Sequence, residues 1–168
     1  LTVEMKPYTY PQWATGSMHI RDAITPETFR IPAQGEQVTV RVMEVASGRV
    51  DNRETRAVLP VTDGELRSDP SQDVLKAAVL ERHHETGKMG FGFVRGFQIQ
   101  NGAMASTVAH DAHNLLAIGT NEEDMALAAN TLVEAGGGMA VVQNGQVLGL
   151  VPLPIAGLMS PLPVDQVS

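Results

Sequence analysis

Thr120-Asn121-Glu122-Glu123-Asp124-Met125-Ala126-Leu127-Ala128-Ala129-Asn130-Thr131-Leu132-Val133-Glu134-Ala135-Gly136-Gly137-Gly138 decides the fold class. Thr120 and Glu123 fit a capping box, a hydroxyl at the cap and a glutamate three residues on. Three acidic residues in the first turn suit the positive end of a helix dipole. Met125, Ala128, Ala129, Leu132 and Val133 recur at helical spacing, and the glycines end the run. The segment is one helix set among strands. After it, Met139 to Val142, Asn144-Gly145 and Val147 to Val151 read as a hairpin. Before it, Leu115 to Ile118 reads as a strand.

Further upstream the pattern stays strand-like. Val38-Thr39-Val40-Arg41-Val42 alternates apolar and polar and runs on to Val45. Ser47 to Asn52 is a turn-rich loop, and Arg56 to Thr62 is a second strand closed by Asp63-Gly64; the two strands are expected to pair antiparallel. Val74 to Leu80 reads as a buried strand. Gly90 to Ile99 places Phe91, Phe93 and Phe97 on one face. Asn101-Gly102 then predicts a hairpin back into Ala103 to Ala109. Met18 to Ile20 reads as a short strand, and Thr25-Pro26-Glu27 as a helix start that soon ends. The first sixteen residues hold two prolines, three aromatics and no periodicity. The expectation is α+β: a mainly antiparallel sheet with a few helices packed on it, and no complete (β/α)8 barrel. Residues 1–16 are read as an entering or boundary segment, 17–163 as the domain, and 164–168 as the start of a truncated helix or tail.

Composition bounds the function. The chain has 168 residues, enough for one domain with its own core. It has no cysteine, which removes disulfides, thiolate metal sites and a cysteine nucleophile. Its net charge of −7 argues against non-specific nucleic-acid binding. No apolar run approaches the roughly 20 residues of a membrane helix. The start at Leu1 and the stop after Ser160-Pro161-Leu162-Pro163 suggest a segment of a longer chain; the alternative is a complete small protein with a processed start.

Two polar clusters interrupt the apolar runs. One is Glu81-Arg82-His83-His84-Glu85, the other His110-Asp111-Ala112-His113-Asn114. Histidine exchanges protons or binds metals near neutrality, and Asp111 is placed to orient an imidazole or share a cation. His83 and His84 point to opposite faces if their backbone is extended. His110 and His113 are three apart, which suits a helix or tight turn. Neither cluster matches a metal-binding motif. The plainer reading of both is polar strand ends bonded to loops.

Glu81-Arg82-His83-His84, Thr86-Gly87, Gly92-Phe93-Val94, Gly96-Phe97, Ala105 to Asp111 with His113-Asn114, Gly119-Thr120-Asn121, and Pro152 to Ser160 resemble a block in the C-terminal domain of bacterial adenine deaminases. The resemblance is continuous from Val74 to Pro163 and loose before that. Glu85 stands where the family pattern has glycine, and Ala112 where it has serine. The resemblance implies a fragment of an amidohydrolase that converts adenine to hypoxanthine and ammonia. Its divalent metal centre, manganese or iron, would lie in a barrel domain absent from this chain. There metals make hydroxide from water for attack on C6, and a carboxylate carries a proton to the leaving amine. No catalytic residue and no metal ligand is expected in this segment. Glu81, Arg82, His83, His84, His110, Asp111, His113 and Asn114 are the candidates for the substrate pocket or the interdomain contact. The partners implied are the barrel domain, adenine and further copies of the chain, with no nucleic acid and no membrane; the location implied is the cytoplasm. The rival reading is a structural or oligomerisation module that never touches substrate.

Overall fold

The computed structural model describes residues 8–46, 48 and 51–167. Helix α1 (Gln12–Thr15) is a single turn, followed by a 3-10 turn at Pro26–Phe29. The strands are β1 (Ile31–Pro32), β2 (Gln37–Glu44), β3 (Arg53–Thr62), β4 (Glu65–Leu66), β5 (Leu75–Leu80), β6 (Met89–Arg95), β7 (Ala103–Ser106) and β8 (Leu115–Gly119). Helix α2 (Glu122–Ala135), β9 (Gly138–Gln143) and β10 (Gln146–Pro152) complete the domain. The strands form one 10-stranded sheet in the order β1-β4-β3-β2-β6-β5-β8-β7-β9-β10. Every described pairing is antiparallel except β2 with β6. The fold is α+β, and the sheet does not close into a barrel.

One face of the sheet is built for close helix packing. Paired residues share a face, so Ala78, Ala117, Ala105 and Ala140 line up across four neighbouring strands. Their small side chains let Ala128, Ala129 and Leu132 of α2 approach closely, with Phe29 and Ile24 closing the cluster. At the helix start, Asn121 is the cap rather than Thr120: its side chain accepts the Asp124 N–H at 2.8 Å. The Thr120 hydroxyl is engaged with the backbone of Gly102 instead. The buried Asp124 carboxylate accepts the N–H groups of Asn144 at 3.0 Å and Gly145 at 2.8 Å, tying the helix to the β9–β10 turn. Gly136, at φ 78°, ends the helix in the left-handed conformation that glycine adopts without strain. Beneath the helix start, Lys76 is buried and pairs with Glu122.

The opposite face is covered only in part: Phe97 and Ile99 pack over Leu75, Ala77, Val94 and Ile118. Val79, Met139 and Val141 are exposed there, beside half-buried Leu116 and Met104. Where β2 diverges from β6, an open apolar cleft of about 880 Å³ forms beside Met43, Val79, Phe91 and Phe93.

Several expectations change. Residues 18–20 are not a strand; Met18 and Ile20 pack against the helix-side core, and the His19 N–H reaches the Arg82 carbonyl. Asn101-Gly102 does not form a β6–β7 hairpin. β6 lies between β2 and β5, whereas β7 lies between β8 and β9, so the connection crosses over β5 and β8. The three phenylalanines do not share a face: β6 ends at Arg95, Gly96 turns the chain at φ 109°, and Phe97 packs with Leu75 and Val94 on the other side. The strand expected over 103–109 stops at Ser106. The helix start expected at Ser160 amounts to one 3-10 turn at Val164–Gln166. The loop expected at 47–52 falls partly outside the described residues.

Candidate functional site

Both polar clusters sit at one end of the sheet. Residues 81–88 join β5 to β6, and residues 107–114 join β7 to β8. Because Leu80 pairs with Leu115, the two loops emerge side by side. Two bonds fasten them together: His83 Nε2 donates to the Ala112 carbonyl at 2.9 Å, and Arg82 Nε donates to the His113 carbonyl at 2.6 Å. The candidates far apart in sequence are therefore neighbours.

Their roles separate on inspection. The Glu81 carboxylate turns onto its own loop and accepts the N–H groups of His83, His84 and Thr86 and the Thr86 hydroxyl. Lost hydration favours its neutral form, but these donors outweigh that and hold the acid at about 2 against an ordinary 4.5. Arg82 is fully buried. Besides His113, it donates to the Ser17 carbonyl at 3.0 Å, the Ser17 hydroxyl at 3.3 Å and the Ala156 carbonyl at 3.0 Å. Burial lowers its pKa, and its bonds go to three backbone carbonyls and a hydroxyl rather than to a carboxylate. It is a clamp on three chain segments. His83 and His84 are exposed, and their backbone bends there rather than running extended.

The second loop keeps chemistry outward. Residues 110–112 form a turn, as the spacing of His110 and His113 suggests. His110 Nδ1 contacts the Asp111 carboxylate, and both side chains project into solvent. The His113 ring stands edge-on to His110, with centroids 5.9 Å apart. His113 Nδ1 and Asn114 Oδ1 are enclosed without a hydrogen-bond partner among the described residues. Such orphaned polar atoms ask for a water or a ligand group.

Some residues of this region carry no warning in the sequence. Thr107 is buried; its hydroxyl accepts the Gly138 N–H at 2.7 Å and donates to the Gly157 carbonyl. A lone threonine closing an apolar strand is the available signal. Arg21 donates to the Thr86 carbonyl at 2.9 Å, and its guanidinium lies over Gly87, where any Cβ would collide with it. Ser17 and Ala156 act through backbone carbonyls, which every residue has, so nothing in their identity marks them.

Among the described residues, no three His, Asp or Glu side chains converge to hold a metal ion. The described residues therefore supply no divalent centre, which the resemblance places in a barrel domain outside this chain. Among the same residues, no helix is long and apolar enough to cross a membrane.

Comparison with known proteins places the sequence in a family. Residues 50–168 match the family model described as adenine deaminase C-terminal domain. The whole chain is 63% identical to an adenine deaminase of Clostridium botulinum strain Loch Maree, covering 28% of that protein. It is 50% identical to an adenine deaminase of Moorella thermoacetica, again over 28% of its length. Against an adenine deaminase of Rubrobacter xylanophilus the identity is 43%, with the same share covered. The likeness thus extends to the first 70 residues, beyond the block from Val74 to Pro163. The chain spans just over a quarter of these relatives, and it belongs to the adenine deaminase C-terminal domain family.

Proposed function

We propose that this chain is the C-terminal domain of an enzyme that hydrolyses adenine to hypoxanthine and ammonia, and that its sheet-end loops shape or cover the substrate pocket. The observation that carries this reading is the match of the entire chain to proteins named adenine deaminase. The divalent ion, manganese or iron, belongs in this reading to a barrel domain outside the chain. The parent would work in the cytoplasm.

The two surfaces left open suit two jobs. The exposed apolar residues of the helix-free sheet face, Val79, Met139 and Val141, and the apolar cleft beside β6 are the adhesive surfaces for the barrel domain, because contiguous exposed apolar patches mark interaction sites. The sheet end is too polar to serve that purpose. Its second loop instead presents an imidazole, a carboxylate and unpaired polar atoms, the groups that recognise the ring nitrogens and amine of a purine.

The rival reading, a structural or oligomerisation module, draws on the same exposed apolar residues. Substituting His113→Ala in the intact enzyme separates the two. Ammonia release from adenine falls at unchanged melting temperature if the loop borders the pocket. Lost stability with normal residual turnover marks a structural module. The isolated chain is expected to release no ammonia from adenine; metal-dependent turnover by it would overturn the assignment of catalysis to the part outside it.

A further inference from the structure

The chain has two tyrosines and one tryptophan, and all three lie between residues 8 and 13. None of them enters the core: Trp13 is 79% exposed, Tyr8 70% and Tyr10 37%. Phe29 and Phe93, by contrast, are buried. A tryptophan ring carries so much apolar area that a fold covers most of it on average. Tyrosine and tryptophan are also the side chains that concentrate at the centres of protein interfaces.

The segment that bears them is fastened, not loose. Trp13 lies on α1, directly before buried Ala14. The Ala14 carbonyl accepts the Ala156 N–H, and the Ser17 carbonyl and hydroxyl accept from Arg82. Met18 and Ile20 then pack against the helix-side core. The Tyr8 and Tyr10 rings stand edge-on, with centroids 5.0 Å apart. A backbone braced in this way has already lost the chain entropy that docking otherwise costs. Because Arg82 also bonds to the His113 carbonyl, this segment and the loop at 107–114 belong to one rigid end of the sheet.

Position in the sequence says what covers the rings. The relatives carry the matching segment as a C-terminal domain that makes up 28% of their length. In those proteins the rest of the chain enters the domain at its first residues, beside these aromatics. We infer that Tyr8, Tyr10 and Trp13 dock onto the part of the parent enzyme that precedes this domain, with Trp13 as the anchor, an inference that rests on the function proposed above. The contact is additional to the sheet face and the cleft. It supplies the apolar adhesion that the polar sheet end lacks, and through Arg82 it holds both sheet-end loops against that preceding part.

The test is acrylamide quenching of Trp13 fluorescence. Trp13 is the one tryptophan of this chain, so the isolated chain reports it directly. In the intact enzyme, the difference between the parent and Trp13→Phe isolates its signal. Trp13 is freely quenched in the isolated chain; in the intact enzyme its quenching falls about fivefold or more and its emission moves to shorter wavelength, as for a ring in a desolvated interface. Trp13→Ala leaves the urea midpoint of the isolated chain unchanged, because the ring covers little there, and lowers the melting temperature of the intact enzyme. Equal quenching in the two proteins, or an unchanged melting temperature of the intact Trp13→Ala enzyme, overturns the inference, while ammonia release from adenine by the same preparation keeps the proposed function standing. Protection that fades as dilution lowers the mass seen by light scattering makes a second copy the occupant and overturns it as well. An intact protein that shields Trp13 yet releases no ammonia from adenine overturns the proposed function and leaves the docking contact in place.

Discussion

In the turn after β5, Glu81 accepts four hydrogen bonds and Arg82 donates four. In the turn after β7, the side chains of His110 and Asp111 hold each other, and two enclosed atoms of His113 and Asn114 have no partner among the described residues. The two turns are similar in composition, adjacent in space and both rich in histidine. They differ in where their bonds go. The first uses its polar groups to hold chain segments together, and the second stands on that support with its own groups free. A cluster of charged residues in a sequence is thus two different objects, and the distribution of hydrogen bonds tells them apart.

The largest effect expected from this contrast is at Arg82. Arg82→Met keeps the length of the side chain and removes every donor. The part-buried carbonyls of Ser17, His113 and Ala156 then lose their partner together. Leaving three part-buried acceptors unsatisfied at once costs about 3 kcal/mol. Equilibrium urea unfolding of the chain would read this as a fall in midpoint with unchanged slope. A loss under about 1 kcal/mol would break the comparison, because the first turn would then not be a clamp.

Glu81 offers a pH signature of the same clamp. Its folded pKa, about 2, lies below the ordinary 4.5. A depressed acid stabilises the fold fully above its unfolded pKa and loses that contribution as pH falls through the folded value. The gap in melting temperature between the parent and Glu81→Gln is therefore constant from pH 5 to 7 (about half a unit or more above the ordinary value). It narrows below 4.5 and closes near 2. A gap that stays flat down to pH 3 would mean that the carboxylate is not the acceptor its geometry describes.

How much of this is legible in the chain depends on whether the cause is local. Helix α2 and the β9–β10 hairpin are readable because their signals, capping residues, apolar spacing and Asn144-Gly145, act within a few residues. Even there Asn121 replaces Thr120 as the cap, since Thr120 is taken by distant Gly102. Partner choice is not readable. Asn101-Gly102 is a strong turn signal, yet the chain only bends there, and the ladder is decided by β5 and β8 pairing with each other. The parallel contact between β2 and β6 has no local signature at all. The two polar clusters stand out as interruptions of apolar runs, but nothing local says that they meet or that they differ. Arg82 looks like one more polar group. Its burial depends on carbonyls of Ser17 and Ala156, supplied by segments 65 and 74 residues away.

A smaller effect of opposite sign is expected at Glu85. It sits at φ 52°, a left-handed conformation in which glycine avoids the side-chain penalty. The glycine that the resemblance leads one to expect there would suit this conformation. Glu85→Gly relieves the strain, gives back part of the gain in chain entropy, and leaves a net stabilisation of about 0.5 kcal/mol. The substitution also removes an exposed contact with His19 at 3.8 Å, and contacts of that kind contribute little. A fall in urea midpoint would show that Glu85 belongs to the clamp.

The smallest effect should be at the tip of the second turn, where the comparison predicts almost nothing. His110→Ala removes a ring that is 84% exposed, touches Asp111 at an equally exposed site and supports no buried group. The three braces of the loop run through the backbone carbonyls of Ala109, Ala112 and His113, none of which the substitution alters. Surface changes of this kind stay within about 0.5 kcal/mol. A residue whose loss leaves stability untouched, on a loop whose support costs several kcal/mol to remove, is there for something other than folding. Should His110→Ala lower stability as much as Arg82→Met, the two turns would be one structural unit, and the division between support and working edge would fail.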